Sequence, residues 1–218
     1  MPTICFLDAS VMADWLILNL ALNAKKTSRE KLELKKKRLE DNPELVYSFE
    51  LLTSTRLWQP EEFIFLTSSL AISEVISVIH DKFCIDILYE QGIPLKYWYK
   101  QRQDFILPKE EIQTLIKEIL FFYKTFIGET IFLAENQNLS NTLEIITLHK
   151  ETNDSFLISQ AIQSKAAYFI TKDNRLKEHL KNYKKIKICK PKYFFQQILH
   201  KGENKSLLGF DSKKQQSL

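Results

Sequence analysis

Four carboxylates are the residues of this chain best placed to do chemistry. They are Asp8, Glu74, Asp154 and Asp173. Asp8 directly follows the apolar run of residues 4–7, and Asp173 follows the run AYFIT. Carboxylates held close together repel one another, which raises their pKa values and destabilises the cluster at neutral pH. A hard divalent cation that prefers oxygen ligands, Mg²⁺ or Mn²⁺, would relieve this repulsion. The four carboxylates therefore suggest a shared cation site, provided that the fold brings them together.

Short apolar runs alternate with helix-like segments along the chain, and this alternation predicts the elements that position the carboxylates. Strands are predicted at residues 3–7, 63–66, 130–133, 167–171 and 186–189. Helices are predicted near residues 10–22, 28–40, 43–58, 69–84, 108–122, 140–150 and 154–165, with a last one from about residue 191. The alternation predicts an α/β protein with a three-layer α/β/α architecture and a central parallel sheet.

In such a sheet the carboxyl ends of the strands lie along one edge, where ligands bind. Asp8 and Asp173 each follow a predicted strand. Asp154 begins the helix that leads into the strand 167–171, and a right-handed crossover helix starts at the edge where the previous strand ended. We therefore expect all three side chains at the same edge of the sheet.

Glu74 lies on the apolar face of its predicted helix, beside Leu70, Ala71, Val75 and Val78. A carboxylate on a core-facing stripe costs several kcal/mol unless a charged or strongly hydrogen-bonding group meets it. Glu74 lies within two turns of the helix start, so it can reach the strand-end edge. This position predicts that Glu74 joins the other three acidic residues.

Each carboxylate also has an ordinary explanation when it is taken alone. Asp8 and Asp154 could cap helices, Asp173 could shape a turn, and Glu74 could pair with a lysine. The four histidines, which are scattered along the sequence, are expected to be helix or surface residues: His80, His149, His179 and His200. Buried apolar thiols are expected at Cys5, Cys84 and Cys189, whose spacing suits neither a disulfide framework nor a zinc site.

The formal net charge is only +4, but the basic residues are segregated. Residues 25–38 carry eight basic and two acidic side chains, and residues 172–192 carry nine basic and two acidic ones. Such segregation indicates a polyphosphate partner, although lysine-rich helix faces are often only solvated. There is no apolar run long enough for a membrane span and no secretory signal, so we expect a cytoplasmic protein without a membrane partner.

Four motifs resemble those of PIN-domain nucleases, especially the VapC-type toxins of prokaryotic toxin-antitoxin pairs. They are FLDASV at 6–11, TSSLAISEVISVI at 67–79, NDSFLISQAI at 153–162 and YFITKDNRL at 168–176. The motifs occur in the family's order, and the resemblance spans roughly residues 3–190. The chain is longer than typical family toxins. We therefore expect one PIN-like domain over residues 1–200, with helical insertions at about 23–60 and 90–110, followed by a disordered tail at 201–218.

The resemblance implies a Mg²⁺- or Mn²⁺-dependent endoribonuclease that leaves 5′-phosphate and 3′-hydroxyl ends. It implies that the quartet Asp8, Glu74, Asp154 and Asp173 is both the metal site and the catalytic site. Ser10 and Thr171 would orient a ligand or a phosphate, and three basic residues would contact the RNA backbone: Lys172, Arg175 and Lys177. The implied partners are single-stranded or looped RNA, a small antitoxin protein and a second copy of the chain.

The chain departs from the family after Asp173, where a second acidic residue and an aromatic one are usual and Asn174, Arg175 and Leu176 stand instead. Two other interpretations stay open. One is a catalytically silent PIN-like module that binds nucleic acid or protein. The other is a different open α/β protein, such as a receiver-like domain, in which an Asp at a strand end also holds Mg²⁺.

Overall fold

The structure, a computed structural model, describes residues 1–23, 43–56, 62–94, 97–98 and 106–199. The charged helix predicted at 28–40 and the tail predicted from residue 201 lie outside the described residues. The strands are β1 (Thr3–Leu7), β2 (Phe63–Thr67), β3 (Ile131–Leu133), β4 (Tyr168–Ile170) and β5 (Lys187–Cys189). They form one parallel sheet in the order β3-β2-β1-β4-β5, which confirms the predicted three-layer α/β/α class.

The helices that the structure describes lie between these strands, close to the predicted positions. They are α1 (Ala9–Asn23), α2 (Pro43–Ser54), α3 (Ser69–Glu90), α4 (Lys109–Phe126), α5 (Leu139–Leu148), α6 (Thr152–Gln163), α7 (Asn174–His179) and α8 (Pro191–Phe194). The chain then makes a π-helical turn at Phe195–Leu199. The short helix α7 was not predicted. None of the described helices is both long and apolar enough to cross a bilayer.

The strand order reverses its direction between β1 and β4. The chain steps from β1 outward to β2 and β3, then returns to β4 beside β1 and steps outward again to β5. Because parallel crossovers are right-handed, the helices of the two halves cover opposite faces of the sheet. Open α/β sheets bind their ligands beyond the carboxyl ends of the strands at such a reversal, which here are the ends of β1 and β4.

The core is continuous from the sheet into the helix layers. Phe6 of β1 and Phe169 of β4 are fully buried and stack with their ring centroids 5.6 Å apart. On one face, Trp15 of α1 packs edge-on against Phe126 of α4 at 4.9 Å. Paired aromatic rings add about 1 kcal/mol to the free energy of burial. These contacts fix α1, and therefore the carboxyl end of β1, relative to the rest of the sheet.

Asp14 on α1 is a fully buried carboxylate that joins four parts of the fold. Its Oδ2 lies 2.6 Å from Lys172 Nζ, just after β4, and accepts a 3.1 Å hydrogen bond from Ser48 Oγ of α2. Its Oδ1 contacts Lys82 Nζ of α3. A buried charge must be paired and hydrogen-bonded to be tolerated, and Asp14 meets both conditions. The cluster therefore holds α1, α2, α3 and the end of β4 together.

Replacing Asp14 by Ala is expected to lower the free energy of unfolding by about 3 kcal/mol. This is the lower end for breaking a buried ion pair, because Lys82 and Lys172 are partly exposed and can turn towards water. Urea unfolding followed by circular dichroism measures the change. The control is Glu178→Ala, which removes an exposed pair with Lys181 and should cost less than about 1 kcal/mol. Equal stability of the two variants would contradict the role of Asp14.

Candidate metal centre

Asp8 lies directly after β1 and is held in one orientation by hydrogen bonds. Its Oδ2 accepts from Ser10 Oγ at 2.6 Å and from Thr171 Oγ1 at 2.8 Å. Its backbone N–H donates to Ile170 O of β4 at 3.1 Å. The side chain is only 8% exposed. Ser10 and Thr171 thus both act on the same carboxylate oxygen, from the start of α1 and from the end of β4.

The same hydroxyl groups tie the two strand ends together. Ser10 Oγ accepts from the backbone N–H of Lys172 at 3.2 Å, and Thr171 Oγ1 accepts from the backbone N–H of Asp173 at 3.0 Å. Asp8 and the segment 171–173 therefore form one hydrogen-bonded unit across the point where the strand order reverses.

Burial raises the pKa of the Asp8 carboxyl above its ordinary value, and this effect exceeds the opposing effect of its hydrogen bonds. The Ser10 and Thr171 hydroxyls and the backbone N–H groups of Ser10 and Ala9 each lower the same pKa. Desolvation disfavours the charged form of a carboxyl group, whereas donors favour it. Asp8 is thus a desolvated carboxylate for which a nearby cation would be favourable.

Glu74 lies half-buried on α3, whose first turn is fixed by two side chains. Ser68 Oγ accepts from the backbone N–H of Ala71 at 3.2 Å, and Glu135, just after β3, accepts from the Ser69 backbone N–H at 2.9 Å. Burial raises the pKa of Glu74, a hydrogen bond with Asn153 lowers it, and the charges of Asp8 and Asp154 raise it further. Glu74 therefore shares an electrostatic field with both aspartates.

Asp154 lies in the first turn of α6, and its side chain is 20% exposed. Its pKa is raised to about 6, chiefly by burial, with the charges of Asp8 and Glu151 adding to the shift. His149 opposes the shift, because its Nε2 lies 2.8 Å from Asp154 Oδ2. The structure thus brings Asp8, Glu74 and Asp154 into mutual electrostatic contact, although they are far apart in the chain.

Asp173 is attached to this group through Thr171 and also has a separate role as a helix cap. It is the N-cap of α7, and its Oδ1 accepts from the backbone N–H groups of Arg175 at 2.6 Å and Leu176 at 3.1 Å. Asp is a favoured N-cap residue, so capping alone is an ordinary explanation for Asp173, although the sequence suggested a turn and not a helix here. Its predicted role as a metal ligand stays a prediction.

A second set of ligand types lies beside Asp154. His149, Glu151 and Asp154 each offer one ligand atom, and these atoms lie within 4.8 Å of one another. Within the described residues, no three members of the predicted quartet come together that closely. Mg²⁺ commonly binds through one or two carboxylates and several waters, so the wider spacing of Asp8, Glu74 and Asp154 suits a hydrated hard cation.

Of the three predicted phosphate contacts, the structure turns one towards the protein interior. The Lys172 side chain is 17% exposed and its Nζ is engaged by Asp14, so its contact with RNA stays a prediction. The Arg175 side chain is 70% exposed, with one guanidinium nitrogen 2.7 Å from Glu151 Oε1. Lys177 is exposed on α7. Arg175 and Lys177 therefore face solvent near the end of β4.

Sequence reasoning missed three residues that the structure places in or next to the site. It treated the histidines as unrelated, whereas His149 is 2% exposed and contacts Asp154. It also missed Asp14 and Glu135. A signal existed for two of them: His149 lies three residues before the start of α6, and Glu135 lies two residues after a predicted strand. Asp14 lies inside a helical pattern, where a single acidic residue gives no indication of burial.

No protein-family model matches this chain. The chain is similar to an uncharacterized protein from Archaeoglobus fulgidus, with 29% identity over 115 residues. The matched segment is 52% of this chain and 90% of the archaeal protein. This likeness assigns neither a family nor an activity to the chain.

The raised carboxyl pKa values predict how the stability of the metal-free protein depends on pH. The pKa of Asp154 is about 6 in the folded state and 3.8 as its ordinary value, so between these pH values the folded protein binds more protons than the unfolded chain. The free energy of unfolding therefore falls as pH rises from about 4 to 6, by on the order of 2 kcal/mol from Asp154 alone. Asp8 and Glu74 act in the same direction.

Urea unfolding of chelator-treated protein at several pH values measures this dependence. Asp154→Asn should remove its share, so the difference in unfolding free energy between pH 4.5 and 7 becomes smaller in this variant. Glu178→Gln, which neutralises an exposed acid, should keep the wild-type dependence. An identical pH dependence in wild type and Asp154→Asn would show that Asp154 is not perturbed.

Proposed function

We propose that the chain is a Mg²⁺- or Mn²⁺-dependent ribonuclease that hydrolyses phosphodiester bonds, in keeping with its resemblance to PIN-domain nucleases. One observation carries the proposal: at the carboxyl ends of β1 and β4, burial raises the pKa values of Asp8, Glu74 and Asp154, the charge of Asp8 raises those of Glu74 and Asp154 further, and the charge of Asp154 adds to that of Glu74. Three mutually repelling carboxylates at a ligand-binding crevice are poor for stability. The same arrangement is well suited to bind a cation that prefers oxygen ligands.

Asp8, Glu74 and Asp154 would hold the cation, either directly or through water, and Asp173 would complete the set. A bound Mg²⁺ or Mn²⁺ lowers the pKa of a coordinated water and neutralises charge on a departing oxygen. Ser10 and Thr171 keep Asp8 in one orientation by donating to its Oδ2. This chemistry requires no covalent nucleophile.

The substrate class follows from the basic residues near the end of β4. Arg175 and Lys177 face solvent and are suited to hold a phosphate backbone without reading its sequence. A single-stranded or looped RNA can reach a crevice at a sheet edge more easily than a continuous duplex. By its resemblance to VapC-type toxins, the protein would act as the toxin of a pair, with a small antitoxin as a further partner.

Asp8→Asn and Asp154→Asn are each expected to abolish Mn²⁺-dependent cleavage of RNA while the protein stays folded. Losing several kcal/mol of transition-state stabilisation corresponds to a fall of about 100-fold or more in rate. End-labelled single-stranded and hairpin RNAs, incubated with and without chelator, measure the rate. Phosphatase treatment of the products should reveal 5′-phosphate ends.

The matched control is Glu178→Gln, which neutralises an exposed acid on α7 and should cleave like wild type. The 5′-phosphate separates this activity from that of a contaminating metal-independent ribonuclease, which leaves a 2′,3′-cyclic phosphate. Wild-type protein that binds RNA without metal-dependent cleavage would contradict the proposal and favour a silent binding module. Equal cleavage by wild type and Asp8→Asn would contradict it as well.

Two substitutions separate the capping role of Asp173 from a role at the metal. Asn caps helices as well as Asp does, so Asp173→Asn should change the free energy of unfolding by less than about 0.5 kcal/mol, whereas Asp173→Ala should cost about 1 kcal/mol. If Asp173 also serves the cation, Asp173→Asn should cleave RNA much more slowly than wild type. Full activity of Asp173→Asn would restrict Asp173 to the cap of α7.

A further inference from the structure

A series of three side chains runs from the carboxylate cluster to the protein surface. Asp154 Oδ2 lies 2.8 Å from His149 Nε2, and His149 Nδ1 lies 2.9 Å from Nδ1 of His179. His149 is buried, whereas His179 is exposed at the end of α7. The series therefore connects α6 with α7 through one enclosed imidazole ring.

The hydrogen-bonding pattern determines which nitrogen of His149 carries the proton. A neutral imidazole has one donor nitrogen and one acceptor nitrogen. If Nε2 of His149 were the acceptor, its lone pair would face the lone pairs of the Asp154 carboxylate. The favourable arrangement has Nε2–H donating to Asp154, with Nδ1 accepting from Nδ1–H of His179. The Asp154 carboxylate therefore selects the Nε2–H tautomer of His149, and donation by His179 to Nδ1 supports it.

The backbone around His149 is also fixed. The His149 N–H donates to Ile145 O at 2.8 Å, and Ser155 Oγ donates to His149 O at 3.3 Å. Ser155 Oγ also lies 2.9 Å from Glu151 O, at the start of α6. The imidazole is thus held by its own backbone, by the first turn of α6 and by His179, so its Nε2–H has a defined direction.

We propose that His149 is a positioning residue that fixes the Asp154 carboxylate for cation binding, with His179 supporting the tautomer that this role requires. This role rests on the proposed function. One oxygen of Asp154 accepts from His149, which leaves the other for the cation and restricts rotation of the carboxylate. Partners of this kind orient metal ligands in proteins, and losing one typically costs 10- to 100-fold in metal affinity.

The alternative role for His149 is direct ligation of a transition metal together with Glu151 and Asp154. Ligation requires a lone pair on Nε2, whereas the contact with Asp154 favours a proton there. Glu151 Oε1 is also engaged by Arg175 at 2.7 Å. The contacts therefore favour His149 as a hydrogen-bond donor over His149 as a ligand.

Mn²⁺ binding to four purified proteins tests the role: wild type, His149→Leu, His149→Gln and Thr142→Val. His149→Leu should weaken Mn²⁺ binding by about 10- to 100-fold. His149→Gln should retain most of the affinity, because the Gln amide can place a donor near the position of Nε2. Thr142→Val, a buried change on α5, the helix that His149 caps at its C-terminal end, should bind like wild type. Urea unfolding checks that every variant is folded.

Nitrogen-15 NMR of the labelled imidazole provides a readout that does not depend on activity. Metal-free wild type should show His149 with the proton on Nε2, and His179→Ala should reduce the population of that tautomer. Equal Mn²⁺ affinity in wild type and folded His149→Leu would overturn the role while leaving the proposed function intact. Direct coordination of Mn²⁺ by the His149 nitrogen, detected by electron spin echo modulation, would also overturn it.

If wild type takes up no Mn²⁺, the proposed function fails and the positioning role fails with it. If only the role of His149 is wrong, wild type still binds Mn²⁺ and His149→Leu binds it with the same affinity. A His149→Gln variant that binds as weakly as His149→Leu would likewise contradict the donor role, because Mn²⁺ affinity would then depend on the imidazole ring and not on its N–H donor.

Discussion

Repulsion among three poorly solvated carboxylates is the constraint on which the rest of this site depends. Burial raises the pKa of Asp8, Glu74 and Asp154, and their mutual charges raise the values for Glu74 and Asp154 further. Folding therefore brings these groups together at a cost in free energy that the apolar core must offset. Natural proteins keep such arrangements mainly at functional sites, where perturbed titration marks a candidate for chemistry. A cation bound by all three carboxylates would replace their mutual repulsion with attraction to the cation.

The sheet topology creates this constraint. Because β1 and β4 are neighbours at the point where the strand order reverses, Asp8 and Thr171 emerge side by side and share a 2.8 Å hydrogen bond. Helices α3 and α6 start at the same edge and bring Glu74 and Asp154 with them. The ion cluster of Asp14 ties α1 and α3 to Lys172, which directly follows Thr171. Strand pairing and a buried ion cluster thus set the positions of these carboxylates.

Local patterns predicted the architecture well because each strand is a short apolar run, and two of the carboxylates, Asp8 and Asp173, follow such runs. Contacts between distant residues could not be predicted in this way. The contact of His149 with His179 spans 30 residues and forms only because α7 brings the two rings together. Helix α7 has six residues, too few to display a helical period. Lys172 belongs to a basic segment, yet local charge does not reveal that its ammonium turns inward to Asp14. The predicted role of the quartet in catalysis stays a prediction that the geometry motivates.

The most direct test of the central claim is anomalous diffraction from crystals soaked in Mn²⁺. The account predicts an anomalous peak at the edge of the sheet between Asp8, Glu74 and Asp154, with coordination completed by water. A peak confined to His149 and Glu151, with Asp8 uninvolved, would contradict it. So would well-ordered crystals without any manganese at the carboxyl ends of β1 and β4.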